Sequence, residues 1–67
     1  MTKINTDFIT LSQFLKMEDF VGSGGEVKYF LANEKVQVNG EDENRRGRKL
    51  YPNDVINLHG KSFTIEK

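Results

Sequence analysis

The stretch that decides the fold runs from Ser23 to Gly40, "SGGEVKYFLANEKVQVNG". It holds two hydrophobic periods in succession. Val27, Phe30 and Leu31 stand at i, i+3 and i+4, the spacing of one buried helical face. Val36 and Val38 then alternate with Gln37, as in a half-buried strand. Ser23 before the helix is a good N-cap, with Glu26 three residues on as its capping-box partner. Asn39-Gly40 is a strong hairpin-turn signal. Gly24 and Gly25 are poor helix formers in the first turn, and each costs about 1 kcal/mol relative to alanine in a helix interior. Close approach of a ligand to the backbone is one reason to place them there.

Upstream, "ITLSQFLKMED" repeats the device. Thr10 is the cap and Gln13 its partner, and Ile9 and Phe14 fit a hydrophobic staple. Leu11, Phe14 and Leu15 form the apolar face, and the helix is expected to end near Asp19. Lys3–Thr6 is weakly strand-like. Downstream, Glu41–Asp54 reads as a charged loop with a short strand near Lys49–Tyr51. Val55, Ile56 and Leu58, a turn at His59-Gly60-Lys61, and Phe63 and Ile65 give two more strands. The expectation is one α+β domain over residues 1–67, with two helices packed on a small antiparallel sheet.

The chain has 67 residues, ten cations, ten acids, one histidine and no cysteine. Nothing therefore points to a disulfide or thiolate metal site. One histidine without a cysteine builds no common zinc site or Cys-His pair. His59 reads as an exposed turn residue. Glu41, Asp42 and Glu43 lack the alternate spacing of a calcium loop. No metal, cofactor, catalytic residue or small-molecule substrate is expected, and a domain this small offers little room for a water-excluding site. No apolar run approaches the length of a membrane span. The chain reads as cytoplasmic and non-enzymatic, and as a monomer.

Zero net charge argues against a general polyanion binder, yet four cations, Arg45, Arg46, Arg48 and Lys49, lie within five residues. Arginine's planar fork matches phosphate oxygens, and Gly47 would let a strand of nucleic acid lie close. The competing reading is a solvated turn whose cations pair with Glu41, Asp42 and Glu43, which needs no function. The "SGGE" helix start offers free N–H groups at a positive dipole end, against the plainer reading of an ordinary cap. Tyr29 lies off the apolar face and, with Tyr51, has a ring able to stack on unpaired bases. Tyr51 also suits the sheet core or its edge.

The register Ser23, Val27, Phe30-Leu31 and Val36-Gln37-Val38-Asn39-Gly40 resembles the S4 RNA-binding domain. Leu11 and Leu15 match that family's first helix, and Asn53-Asp54-Val55-Ile56 resembles its Gly-Asp-x-Ile element. "SGG" and "NRRGRKLY" look most like the small stand-alone bacterial S4 proteins of the YaaA type. The resemblance implies the alpha-L motif of S4 domains and non-catalytic binding of structured RNA, ribosomal RNA or a ribosomal particle first. The arginine of many S4 first helices is Thr10 here, that of the Ser-Arg pair is Gly24, and the glycine before the Val-x-Val strand is Glu34. The resemblance thus places the RNA-facing charge in Arg45, Arg46, Arg48 and Lys49. Ser23, Gly24 and Gly25 would supply backbone donors, with Lys28 and Lys16 as further candidates. A DNA-binding module and a protein adaptor using the same loop are the alternatives.

Overall fold

The structure is a computed structural model and describes residues 2–67. The elements are β1 (Thr2–Lys3), β2 (Ile9–Thr10), α1 (Leu11–Met17), α2 (Gly24–Asn33), β3 (Val36–Val38), β4 (Glu41–Asp42), β5 (Lys49–Leu50), β6 (Val55–Leu58) and β7 (Lys61–Glu66). A helix leaves its first N–H groups without internal partners, and α1 satisfies all four. The Thr10 hydroxyl accepts from Gln13 N–H at 3.2 Å, and the Gln13 side chain accepts from Thr10 N–H at 2.8 Å. Leu11 and Ser12 N–H donate to the carbonyls of Arg48 and Arg46 at 2.8 and 3.0 Å. The basic segment is therefore docked on the start of α1.

Helix α1 stops at Met17, two residues before Asp19. Asp19 N–H reaches the Lys16 carbonyl, and Phe20 N–H reaches that of Leu15 at 2.9 Å. This is the Schellman closure, and its reversing residue is Asp19 at φ 61°, where glycine is usual. Ser23 occupies the N-cap of α2 but makes no side-chain cap bond. Glu26 reaches past it and accepts from Gly22 N–H at 2.9 Å, so the reciprocal box expected at Ser23 does not form.

The main sheet has the order β1-β7-β6-β3-β4, and β2 and β5 form a separate antiparallel ribbon. Asn39-Gly40 (φ 53° and 86°) and His59-Gly60 (φ 52° and 74°) are both two-residue hairpin turns. Positive φ at both central residues matches the twist of the flanking strands. The second turn is thus one residue shorter than His59–Lys61. Three further departures from expectation stand out. Strand β1 lies at Thr2–Lys3 and pairs parallel to β7, Thr2 opposite Ile65, so the sheet is mixed rather than wholly antiparallel. Glu41–Asp42, expected as loop, is an edge strand. Ile9–Thr10 forms a strand before it caps α1.

The core is one contiguous cluster that includes Leu11, Phe14 and Leu15 of α1, Val27 and Leu31 of α2, and Val36, Val38, Ile56, Leu58 and Ile65 of the sheet. Phe14 meets Phe63 of β7 edge-on at 5.4 Å, the favoured aromatic geometry. His59 is an exposed turn residue, as expected, and it also makes contacts. Its ring stands 5.5 Å from Phe20 and 5.9 Å from Phe30, and Nε2 is bonded to Glu34.

Asn39 and Asp54 join the two hairpin elements. The Asn39 amide donates to Asp54 Oδ1 at 3.1 Å and its carbonyl oxygen accepts from Val55 N–H at 3.0 Å. Asp54 Oδ2 accepts from Tyr51 N–H at 2.8 Å across the Tyr51–Asp54 turn, in which Asn53 takes φ 79°. The "VNG" and "NDVI" stretches are therefore two halves of one hydrogen-bonded junction.

Candidate nucleic-acid interface

The four clustered cations do not form one uniform patch. Glu43, in the acidic run before them, is buried, with its side chain 5% exposed. Burying a carboxylate is costly unless it is paired and hydrogen-bonded. Glu43 meets that condition with four donors: Arg45 N–H at 3.1 Å, Arg45 Nε at 2.9 Å, Arg45 Nη2 at 3.1 Å and Arg48 Nη1 at 2.7 Å. Its carboxyl is held at about 2, below the usual range. The Arg45 side-chain bonds are the largest cause, burial opposes them, and the Arg45 N–H and Arg48 add to them.

This clamp shapes the loop. Arg48 N–H donates to the Arg45 carbonyl at 3.1 Å, which closes a turn with Arg46 and Gly47 at its tip. The Arg46 carbonyl is fixed on Ser12 N–H. Arg46 is exposed and has no ion-pair partner among the described residues. It lines a depression of about 430 Å³ with Lys28, Leu31, Ala32 and Asn44. Lys28 likewise has no ion pair among the described residues. Two free cations therefore meet at one concave surface, with a polar amide beside them and an apolar floor from α2. An arginine fork and an ammonium side by side suit phosphate oxygens.

The remaining candidates lie apart. Ser23, Gly24 and Gly25 form the exposed start of α2, one turn before Lys28. A Cβ on Gly24 would meet nothing within 4 Å, and one on Gly25 only the Ser23 hydroxyl at 3.9 Å. No internal contact demands glycine at either position. Lys49 sits in β5 opposite Thr10, with Nζ 5.0 Å from the Phe8 ring centroid. Lys16 occupies the last turn of α1, where a cation complements the helix dipole, and it does not line the depression. Arg45 and Arg48 are engaged by Glu43, so they support the surface more directly than they offer free charge to it. The acids Glu41 and Asp42 do not take part, and Asp42 instead faces Lys35 at 3.8 Å.

Sequence reading missed Asn44 and the organising role of Glu43. Nothing in "EDEN" marks the third residue as buried. Its burial follows from tertiary pairing, since Glu43 lies one residue past β4 and its N–H still donates to the Val36 carbonyl at 2.8 Å. Among the described residues no cluster of side chains could hold a metal ion, and no helix is long and apolar enough to cross a membrane.

The chain matches the S4 domain family over residues 2–66. It is 54% identical over 57 residues to the "Probable ribosome maturation protein RlbA" of Bacillus subtilis (strain 168), covering 85% of this chain and 80% of that protein. A family match across nearly all of the sequence, joined to this identity, establishes that the chain belongs to the S4 domain family.

Proposed function

We propose that this chain is a non-catalytic RNA-binding module that acts on ribosomal RNA or a ribosomal particle in the cytoplasm, as a single domain and a monomer. No cofactor or small-molecule substrate enters this reading. The observation that carries it is the convergence of Lys28 and Arg46, both without ion-pair partners among the described residues, on one depression beside Asn44. Membership of the S4 family and likeness to a protein named for ribosome maturation support the choice of polymer and particle. The contacts are to phosphates and to the shape of folded RNA, with Ser23, Gly24 and Gly25 offering backbone donors one turn from Lys28. Arg46 and Lys28 are the primary phosphate contacts, Lys49 and Lys16 are peripheral, and Arg45 and Arg48 hold the loop in place.

Binding of ribosomal RNA fragments across a salt series tests this. Each phosphate contact contributes a slope of about −0.7 to −0.9 in log K against log salt. Replacing Lys28 and Arg46 together with alanine is expected to flatten the slope by about 1.4–1.8 and to leave folding intact. An unchanged slope and affinity, or equal competition by a DNA duplex of the same sequence, would overturn the assignment.

A further inference from the structure

The outer face of the β2–β5 ribbon is unaccounted for by the core. Ile9 and Leu50 face each other across the ribbon and are buried. Side chains alternate between faces along a strand, so Phe8, Lys49 and Tyr51 stand on the opposite side, and all three are exposed. Phe8 and Tyr51 extend the Ile9–Leu50 register by one step. Their ring centroids are 5.6 Å apart with planes tilted at 45°. Phe8 is 36% and Tyr51 47% exposed. Lys49 Nζ stands 5.0 Å from the Phe8 centroid and has no carboxylate partner among the described residues.

Two water-facing rings beside an unpaired cation suit a particular ligand. Every nucleobase has a flat π-face that stacks on an aromatic side chain, and its phosphate needs a positive charge nearby. A stable protein partner needs about 800 Å² on each side, far more than two half-exposed rings supply. The turn that carries Arg46 also leads directly into β5, so only Gly47 and Arg48 separate Arg46 of the depression from Lys49 of the aromatic face. We infer that Phe8 and Tyr51, with Lys49, form a stacking platform for an unpaired nucleotide of the bound RNA. This rests on the RNA-binding reading and adds to it a preference for single-stranded segments. Lys49 covers one face of Phe8, so Tyr51 offers the more open ring. Because stacking tolerates any base, the platform selects for strandedness rather than sequence.

The test uses the full chain and two probes, a labelled ten-nucleotide single-stranded oligoadenylate and a blunt RNA duplex of the same length. The parent protein is expected to bind the single strand more tightly than the duplex. Tyr51→Leu and Phe8→Leu are each expected to weaken single-strand binding about 5- to 150-fold, with duplex binding and the salt slope little changed. Tyr51→Phe keeps the ring and is expected to bind as the parent does. Urea melts establish that each variant is folded. Folded leucine variants that bind the single strand as well as the parent would overturn the platform. If those variants also lose co-sedimentation with ribosomal particles, the face docks a protein instead. Failure of the RNA-binding reading looks different: the Lys28 and Arg46 double variant then leaves RNA affinity unchanged. A parent protein that binds ribosomal RNA fragments but not the single strand overturns the platform alone.

Discussion

Arg48 Nη1 donates to the buried Glu43 carboxylate at 2.7 Å, and Arg45 occupies the other side of the same group. The pairing has a consequence for stability against pH. The Glu43 carboxyl is lowered from about 4.5 to about 2 in the folded protein. A depressed carboxyl contributes stability that is fully present above its unfolded value and lost as pH falls through the folded one. Stability is therefore expected to decline between about pH 5 and pH 2. Glu43→Gln should flatten that part of the profile and cost about 1.5–3 kcal/mol at pH 7, the range for hydrogen bonds to charged groups. Urea melts from pH 2 to 7 on both proteins provide the measurement, and an unchanged profile in the variant would show that Glu43 is not the titrating group.

Asn39 offers a second test, because it combines a left-handed backbone with two side-chain bonds. Asn39→Gly keeps the backbone conformation and removes both bonds. It is expected to destabilise the fold by about 1–2 kcal/mol, despite glycine's ease at positive φ. Asn39→Asp should cost at least as much, since it sets a carboxylate against Asp54. A glycine variant that melts like the parent would mean the junction contributes nothing.

Asp19 carries the opposite expectation. It closes α1 at φ 61°, a conformation that favours glycine, and its side chain makes no hydrogen bond among those described. Asp19→Gly should stabilise the protein by about 0.5–1 kcal/mol, raising Tm by about 2–8 °C in a domain of this size. A lowered Tm would indicate that the Asp19 carboxylate has a role the closure geometry does not show.

These sites also show where sequence reading succeeds. The start of α1 was legible because Thr10 and Gln13 carry a complete local signal, and Asn39-Gly40 because its turn chemistry is local too. The parallel β1–β7 pair was not, since Thr2 meets Ile65 across 63 positions and a two-residue strand has no period to read. The Ser23 box failed because Glu26 has a choice of N–H groups and takes that of Gly22. For the candidate site, the sequence named the clustered cations but could not divide them into paired and unpaired ones. That division depends on Glu43 being buried while its neighbours Glu41 and Asp42 stay exposed.

The division itself makes the final prediction. Glu43 neutralises part of the charge of Arg45 and Arg48, whereas Arg46 is unopposed. Arg46→Ala should leave stability within about 0.5 kcal/mol of the parent, because an exposed side chain without a partner is lost at little cost. It should also flatten the RNA salt slope by about one contact's worth, 0.7–0.9. Arg45→Ala and Arg48→Ala should do the reverse, lowering stability with a smaller direct effect on the slope. Glu43→Gln then becomes informative in a second way. It destabilises the clamp but releases one net positive charge, so below its melting temperature it should bind RNA more tightly at low salt and with a steeper slope. If instead Glu43→Gln weakens RNA binding at every salt concentration while remaining folded, the clamp's geometry outweighs the charge it holds back, and Arg45 and Arg48 belong among the RNA contacts in the positions Glu43 gives them.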